Sequence, residues 1–495
     1  MSDLTVRQLE HAALIAKAGE SLTKLEATMN REYRLHYHLM PPAGWMNDPN
    51  GFIHHRGVYH LFYQHDPYQP KQGPMHWGHA TSRDLVHWEH QPVALAPSED
   101  YDSGPTGGQG CWSGSAVDDN GRLALLYTGH VDGRKPEEVQ CLAVSEDGIH
   151  FRKEEGNPVI GDSPDPLRFG FRDPKVWKHG DIWYMVVGYG KDGLGKAIIY
   201  KSENLREWSY EGPAVESDGT MGDMWECPDL FPIGEGDTHV LIISPMNTGS
   251  YKNLYLTGTF HYNTCRFAKT HQNLIDYGFD FYAPQTLLDE QGRRIMVAWM
   301  NIWGATMPEQ AHGWYGAMTL PRELTLEPDG TLRSRPVKEL EKLRGDRTSV
   351  ADVVLRDGEK TTFDGVEGHS LELIVRIHPG SAAEMGLRVF GSADGSAYAE
   401  IGYSVAEGKL SMDRSRAGDG DGGISAAPLQ PLEDGTIELR LYLDRSSVEL
   451  FANDGRIAMT NRIYGDAAAT GISFFSRGGE ANIVTLEAWP LESIW

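Results

Sequence analysis

The sequence is that of a folded protein long enough for more than one domain. It has 495 residues, of which 40% are hydrophobic and 23% charged, and this balance excludes a disordered or fibrous chain. The formal net charge of -25 argues against a nucleic-acid partner, because binding phosphates requires basic side chains. No run of about 18 apolar residues is present, so we expect no transmembrane helix and no membrane partner.

The first 30 residues predict a short helical extension. Thr5 and Gln8 have the spacing of a helix capping box, and Leu9, Ala13 and Ala16 then fall on one face. The apolar run at 12–16 is too short for a signal peptide, and the four cysteines show no CxxC pairing. Free thiols without an export signal predict a cytoplasmic protein.

Five segments that follow share one layout, in which two short apolar stretches flank a turn containing Gly or Asp. They are NDPNGFIHHRGVYHLFYQ from Asn47, WSGSAVDDNGRLALLYTG from Trp112, FRDPKVWKHGDIWYMVVG from Phe171, WECPDLFPIGEGDTHVLII from Trp225 and FYAPQTLLDEQGRRIMVAW from Phe281. Each segment predicts a β-hairpin.

A second motif, Ser-x-(Asp/Asn)-x-x-x-aromatic, follows three of these hairpins and recurs in step with them. It reads SRDLVHW from Ser82, SEDGIHF from Ser145 and SENLREW from Ser202, at intervals of 63 and 57 residues. Units of this length, each with about four strands, are typical of β-propeller blades. We therefore predict a five-bladed β-propeller over residues 31–336, in preference to a β-sandwich with coincidental similarity.

The pattern changes after Pro336. Val337, Leu340 and Leu343 fall on one helical face, which predicts a linker helix within residues 337–348. Beyond it, alternating apolar residues at 437–443 and a turn at 453–455 predict an antiparallel β-sandwich over residues 349–495. The whole chain is thus expected to be all-β apart from its helical extension. No cluster of reactive residues marks the sandwich, so we expect its role to be structural.

Acidic residues occur at the start of three of the predicted hairpins. Asn47-Asp48-Pro49 and Arg172-Asp173-Pro174 resemble turns, but Trp225-Glu226-Cys227 does not have the composition of a turn. In a propeller the innermost strands surround one axis, so these acids should converge although their charges repel. Converging carboxylates among aromatic residues suggest the chemistry of glycoside cleavage. One acid would attack or stabilise the anomeric carbon, and a second, protonated acid would donate its proton to the leaving oxygen.

Several long motifs resemble the β-fructofuranosidases of glycoside hydrolase family 32, a family of invertases, levanases and bacterial sucrose-6-phosphate hydrolases. The matching stretches are HLMPPAGWMNDPNG, WGHATSRDLVHW, SGSAV, FRDPKV, WECPDL, DFYAPQT and, in the sandwich, RSSVELFANDG. The resemblance runs from about residue 34 to the C-terminus, and it is closest to the sucrose-6-phosphate hydrolases. It implies a five-bladed propeller followed by a β-sandwich, in agreement with the repeats.

The resemblance also implies roles for individual residues. Asp48 would be the nucleophile and Glu226 the general acid and then base, while Asp173 would bind fructosyl hydroxyls and stabilise the transition state. On physical grounds Arg172 should help to keep Asp173 charged, as a cation beside a carboxylate does. Asp48 should be ionised while Glu226 holds its proton. The expected substrate-binding residues are Trp45, Met46, Asn47, Gln64, Trp77, Trp112, Ser113, Arg172 and Trp299. We expect no metal and no cofactor, since the histidines concentrated before residue 91 lack a metal-binding spacing.

Alternatives remain open for the substrate and the reaction. The sugar bound is expected to be sucrose, sucrose 6-phosphate or short fructans, but no Gly-rich phosphate-binding loop is present to choose among them. A fructosyltransferase would share the nucleophile, and an inverting glycosidase would share the five-bladed architecture. A propeller that only binds carbohydrate would need no paired acids. The oligomeric state is left open.

Overall fold

The computed structural model describes residues 3–166, 168–234, 236–249 and 252–495, with the backbone alone for residues 3–5. Over this part of the chain it contains 32 β-strands, one α-helix and two short 3-10 helices. The predicted all-β fold with an N-terminal helix is confirmed. None of the described helices is long and apolar enough to cross a membrane.

The N-terminal helix α1 spans Asp3–Glu26. It begins before Thr5, so the predicted capping box is wrong and Thr5 lies inside the helix. Ala18 is fully buried and His11 nearly so, and the His11 Nε2 atom accepts a hydrogen bond from the backbone N–H of Ala96 at 3.1 Å. The helix is therefore attached to the side of the first blade.

Five sheets, each built on four antiparallel strands, form the larger part of the molecule. The first two blades contain β1 (Gly44–His55), β2 (Val58–Asp66), β3 (His76–Ser82), β4 (Trp88–Leu95), β5 (Gly110–Asp119), β6 (Arg122–His130), β7 (Glu138–Ser145) and β8 (Arg152–Lys153). The third and fourth contain β9 (Gly170–His179), β10 (Ile182–Lys191), β11 (Leu194–Ser202), β12 (Ser209–Glu216), β13 (Met224–Pro232), β14 (Thr238–Met246), β15 (Leu254–His261) and β16 (Arg266–Leu274). The fifth contains β17 (Tyr282–Leu288), β18 (Arg294–Trp299), β20 (Arg322–Leu326) and β21 (Leu332–Pro336).

The five sheets are arranged in a closed ring. Their first strands are neighbours in the cyclic order β1, β5, β9, β13, β17 and back to β1. A short strand, β19 (Trp314–Tyr315), leaves the fifth blade and pairs in parallel with β1, which ties the last blade to the first. The predicted five-bladed propeller is confirmed, and each predicted hairpin supplies the two innermost strands of one blade.

The second repeated motif forms the turn between the third and fourth strands of three blades. In the first blade, the Asp84 Oδ1 atom accepts hydrogen bonds from the backbone N–H groups of Val86 and His87 at 3.1 and 2.9 Å. Asp147 and Asn204 make the same contacts in the next two blades. The motif recurs because each turn needs a side-chain acceptor to satisfy its backbone.

Every innermost strand has a β-bulge at the same place. The register with the second strand breaks across residues 46–49, 112–114, 172–175, 226–229 and 282–285. Asp173, Cys227 and Ala283, each followed by proline, have φ values of 65°, 47° and 51° within these bulges. Bulges interrupt the ladder and re-aim side chains, so the acids and their neighbours can point to the axis rather than into the blades.

The C-terminal part is a sandwich of two antiparallel sheets around one apolar core. The six-stranded sheet has the order β22 (Thr348–Leu355), β32 (Ala481–Pro490), β23 (Leu371–His378), β28 (Ile437–Asp444), β29 (Ser447–Ala452) and β30 (Ile457–Arg462). The five-stranded sheet has the order β27 (Ile424–Pro428), β26 (Lys409–Arg416), β25 (Tyr398–Ser404), β24 (Glu384–Gly391) and β31 (Gly471–Arg477). The predicted antiparallel sandwich is confirmed.

The linker between the two parts contains a short 3-10 helix, Lys338–Leu343, preceded by Val337. Val337, Leu340 and Leu343 are all buried in the core of the first blade and the interface. The second 3-10 helix, Pro308–His312, lies in the fifth blade. Domain boundaries at residues 30, 336 and 348 remain our proposal, and the placement of these elements supports it.

Buried ion pairs join the propeller to the sandwich. The Arg322 guanidinium on β20 contacts Asp276 at 2.8 Å and Glu449 on β29 at 2.5 Å. His38 lies between Glu449 and Asp444, with its ring nitrogens 2.9 and 2.8 Å from the two carboxylates. The RSSVELFANDG motif thus forms part of the domain interface.

Candidate active site

The bulges bring the three candidate acids together. The Cys227 Sγ atom lies 3.5 Å from the Asp48 Oδ2 atom and 3.6 Å from the Asp173 Oδ2 atom. Glu226 precedes Cys227 directly, and the backbone N–H of Cys227 donates to Asp173 Oδ2 at 2.9 Å. Acids separated by up to 178 positions in the sequence therefore surround one point near the axis.

Asp48 is held by neutral donors rather than by a cation. The Ser113 hydroxyl donates to its Oδ2 atom at 2.8 Å, and the Asn47 amide donates to its Oδ1 atom at 3.2 Å. Asn47 is itself fixed by the Trp45 indole N–H, which donates to its Oδ1 atom at 2.6 Å. This arrangement orients a carboxylate oxygen while leaving its charge uncompensated by an ion pair.

Glu226 is held from two sides. Its Oε1 atom accepts hydrogen bonds from Nε and Nη2 of Arg172 at 2.9 and 2.8 Å, and its Oε2 atom accepts one from the Tyr282 hydroxyl at 2.5 Å. Arg172 also donates to Glu138 Oε1 at 2.9 Å. The guanidinium hydrogen bonds of Arg172 go to Glu226 and Glu138 rather than to Asp173. As expected, the positive charge of Arg172 still favours the ionised form of Asp173, because it opposes the rise of the Asp173 pKa.

The pKa values of the two aspartates are raised. Burial and the negative charge of Glu226 raise the pKa of Asp48 to about 6. Burial, Glu226 and Asp48 raise the pKa of Asp173 to about 7, although Arg172 opposes the shift. Burial and Glu226 also raise the pKa of Tyr282 well above its usual value, so its hydroxyl remains a hydrogen-bond donor. Burial is the largest cause for all three groups, and the charge of Glu226 adds to it.

The remaining predicted binding residues divide into two groups. Trp112 stacks on His130 with ring centroids 3.7 Å apart and lies 5.8 Å from the Arg172 guanidinium, beside Glu226. Trp45 and Trp299 belong to an aromatic cluster that includes Tyr282. These residues, with Asn47, Ser113 and Arg172 above, surround the three acids.

Met46, Gln64 and Trp77 lie further back. Met46 and Trp77 have no exposed surface and pack in apolar clusters within and between the first two blades. The Trp77 indole N–H donates to the backbone carbonyl of Trp112, and the Gln64 amide donates to that of Cys111, at 3.1 and 3.0 Å. Met46 and Trp77 thus support the wall of the site from behind, and Trp299 is equally buried. The binding roles expected of these three residues remain predictions.

Sequence reasoning missed two residues of the site, Tyr282 and Glu138. Tyr282-Ala283-Pro284 has the same place in its bulge as Glu226-Cys227-Pro228, so the repeat could have identified Tyr282. Glu138 begins the third strand of the second blade and reaches the site only by contacting the next blade. No local pattern marks such a contact.

Nothing in the described part of the chain forms a group of three or more His, Cys, Asp or Glu side chains able to hold a metal ion. Several of the histidines early in the sequence have structural partners. His38 joins the domain interface, and the His60 and His79 rings contact each other at 3.1 Å inside the first blade.

Glycoside-cleaving enzymes use a pair of carboxyl groups beside the scissile bond, and here the closed propeller holds such acids together at its axis among aromatic side chains. The sequence profile of the glycosyl hydrolases family 32 N-terminal domain matches residues 38–336, and that of the family 32 C-terminal domain matches residues 339–490. The chain belongs to glycosyl hydrolase family 32, and the resemblance noted in the sequence is confirmed.

Individual relatives match over nearly their full length. The chain is 40% identical to sucrose-6-phosphate hydrolase of Escherichia coli, with 96% of this chain and 98% of that protein covered. It is also 40% identical to a raffinose invertase of Escherichia coli, with coverage of 96% and 99%. The structure superposes on a Bombyx mori β-fructofuranosidase in complex with sucrose with a TM-score of 0.83, at 35% identity and coverage of 97% and 98%.

Proposed function

We propose that this protein is a retaining β-fructofuranosidase that hydrolyses the fructosyl bond of sucrose and of sucrose 6-phosphate. The family and the names of its full-length relatives support this activity. The observation that carries the proposal is the meeting of Asp48 and Glu226 beside Cys227, with different hydrogen-bond partners for each acid.

Asp48 is the proposed nucleophile. Its Oδ atoms are held by Ser113 and Asn47, and above pH 6 its carboxylate is the major form. In the first step a carboxylate oxygen bonds to C2 of the fructosyl unit while the bond from C2 to the glycosidic oxygen breaks. Hydrogen bonds from neutral donors orient the attacking oxygen without neutralising it, which preserves its reactivity.

Glu226 is the proposed acid and base. In the contacts described above Glu226 is a carboxylate that accepts hydrogen bonds from Arg172 and Tyr282, so it must take up a proton before the first step. It then donates that proton to the glycosidic oxygen as the leaving sugar departs, and afterwards takes a proton from the water that attacks C2 and releases Asp48. Arg172 and Tyr282 fix its two oxygens, so the carboxyl keeps its position through both steps. Asp173 is proposed to bind fructosyl hydroxyls and to stabilise positive charge at the anomeric carbon.

Substrate preference is tested by kinetics. The purified protein is incubated with sucrose, sucrose 6-phosphate and inulin-type oligomers, and kcat/KM is obtained from the release of the two products. We expect hydrolysis of sucrose and sucrose 6-phosphate at rates above those of the oligomers, with Asp48→Asn as the inactive control. A protein that releases neither product from any of these sugars, or yields mainly longer oligosaccharides, contradicts the proposal.

The composition and the site together bear on the partner of this protein in the cell. The acidic net charge and the sugar-binding site support a small-molecule sugar as the partner rather than nucleic acid. A cytoplasmic location remains a prediction from the sequence, and cell fractionation checks it.

A further inference from the structure

A loop at the rim of the site carries an exposed tryptophan that sequence reasoning did not single out. Residues 300–307, here called the rim loop, follow β18 in the fifth blade. Trp303 in this loop is 41% exposed, whereas Trp45 and Trp299 are buried. A large apolar ring left open beside a sugar-cleaving site is a natural surface for stacking on a sugar.

Trp303 is connected to the proposed proton donor through aromatic contacts. Its ring stacks on Trp45 at 6.1 Å with an interplanar angle of 23°, and it meets Trp299 edge-on at 4.9 Å. Trp299 meets Tyr282 at 6.3 Å, and the Tyr282 hydroxyl donates to Glu226. Trp45 also leads to Asp48 through Asn47, so the ring of Trp303 lies beside both acids. Because the proton donor must face the leaving oxygen, a ring exposed beside both acids is placed to meet the leaving sugar.

The sandwich holds the rim loop in place. The Asp421 Oδ2 atom, in the turn between β26 and β27, accepts a hydrogen bond from the backbone N–H of Thr306 at 2.8 Å. The Tyr464 hydroxyl, just after β30, donates to the Met307 Sδ atom at 2.6 Å. Both contacts come from the second domain, and the first is strengthened by the charge of the carboxylate.

We infer that Trp303 is the stacking platform for the leaving-group pyranose, and that the sandwich positions this platform through Asp421 and Tyr464. The inference rests on the proposed β-fructofuranosidase activity and gives the second domain a role in substrate specificity. Trp303 determines binding of the leaving sugar, and Asp421 is a positioning residue that acts through the rim loop.

The platform is tested with two substrates that differ only in their leaving group. Trp303→Ala is expected to raise KM for sucrose roughly three- to tenfold with kcat little changed, because stacking acts on the bound sugar in ground state and transition state alike. For methyl β-D-fructofuranoside, whose leaving group is methanol, KM should stay within about twofold. Trp303→Phe should restore most of the binding of sucrose.

The two proposals fail in different ways in this experiment. If the wild-type protein cleaves neither substrate, the proposed function is wrong. If the wild-type protein cleaves both substrates, the stacking role of Trp303 is wrong under either of two results. Trp303→Ala either changes KM for sucrose and for methyl β-D-fructofuranoside by the same factor, or changes neither KM. Product inhibition provides a second readout, since Trp303→Ala should weaken inhibition by glucose and leave inhibition by fructose unchanged.

The positioning role is tested by a matched pair of variants in one turn. Asp421→Ala should raise KM for sucrose roughly two- to fivefold, while Asp419→Ala, which removes only the acceptor of a Tyr33 hydroxyl hydrogen bond, should not. Asp421→Asn retains an acceptor oxygen, so its KM for sucrose should be almost that of the wild type.

A double variant tests whether Trp303 and Asp421 act on the same contact. The variant with both residues changed to Ala should have the same KM for sucrose as Trp303→Ala alone, because Asp421 acts only by positioning the Trp303 platform. Additive effects, or equal effects of the two aspartates, overturn the positioning role.

Discussion

Buried acids occur in two regions of this molecule, and they differ in the number of cations that face them. At the domain interface, Arg322 and His38 lie between the carboxylates, and although burial alone would raise the pKa of Glu449, Arg322 and His38 lower it. At the propeller axis, the Arg172 guanidinium is the cation near Asp48, Asp173 and Glu226, and it also pairs with Glu138. There the pKa values of Asp48 and Asp173 are raised.

The same burial therefore has opposite consequences in the two regions. Compensated charges hold two domains in one relative position, whereas charges left partly uncompensated are typical of sites that perform chemistry. Substitutions at the axis should thus change rates more than stability, and substitutions at the interface should change stability more than rates.

The largest expected effect is on catalysis at the axis. Asp48→Asn and Glu226→Gln should each lower kcat for sucrose by roughly a thousandfold or more, because they remove the nucleophile or the proton donor. Circular dichroism and the thermal midpoint should show a folded protein. A variant of either residue with ordinary turnover would remove that residue from the mechanism.

At the interface the expected effect is on folding. Arg322→Ala should lower the free energy of unfolding by about 3–5 kcal/mol, because it leaves Asp276 and Glu449 buried without their cation. The matched control is Arg456→Ala, which breaks an exposed ion pair with Asp329 between the same two domains and should lower it by less than about 1 kcal/mol. Denaturant titration measures both, and similar losses would contradict the comparison.

Asp173→Asn should change the free energy of unfolding less than Arg322→Ala does, and it should raise this free energy rather than lower it. Because the folded protein binds the Asp173 proton more tightly than the unfolded chain does, the stability from this group is present at low pH and is lost as pH rises through about 7. Removing the charge should therefore raise the free energy of unfolding by on the order of 2 kcal/mol at pH 8 and by little near pH 4. Unfolding curves at the two pH values measure the difference. A variant less stable than wild type at pH 8 would show that the site is not under electrostatic strain.

The smallest effect concerns the pH dependence of the wild-type enzyme. Asp48 must be ionised to attack, and its pKa is about 6, so kcat/KM for sucrose should fall as pH decreases through about 6. The neighbouring acids titrate together, so the profile reports values of the group rather than of one residue. A rate that stays constant down to pH 4 would contradict the raised pKa of Asp48.

The fold was predictable because its signals repeat. Each inner hairpin and each Asx turn recurs with the blades, and a closed ring then requires that residues at equivalent positions converge. Asp48, Asp173 and Glu226 could be placed together for that reason alone. The bulges that aim them could not, because a break in register depends on the pairing of two strands.

Contacts between elements that are distant along the chain could not be predicted from the sequence. Nothing near Arg172 indicates that it bonds Glu226 rather than Asp173, and nothing near Glu138 indicates that it reaches the next blade. The same holds for Asp421, which contacts the rim loop 115 positions away. The RSSVELFANDG motif was recognised, but its place in the ion pairs of the interface follows only from the packing of the domains.

The most direct measurement concerns the covalent bond itself. Glu226→Gln is mixed with β-D-fructofuranosyl fluoride, whose leaving group needs no proton, so the first step proceeds while the second lacks its base. After acid quench and proteolysis, mass spectrometry should find one fructosyl unit on the peptide that contains Asp48. A fructosyl unit on any other residue would contradict the assignment of Asp48 as the nucleophile.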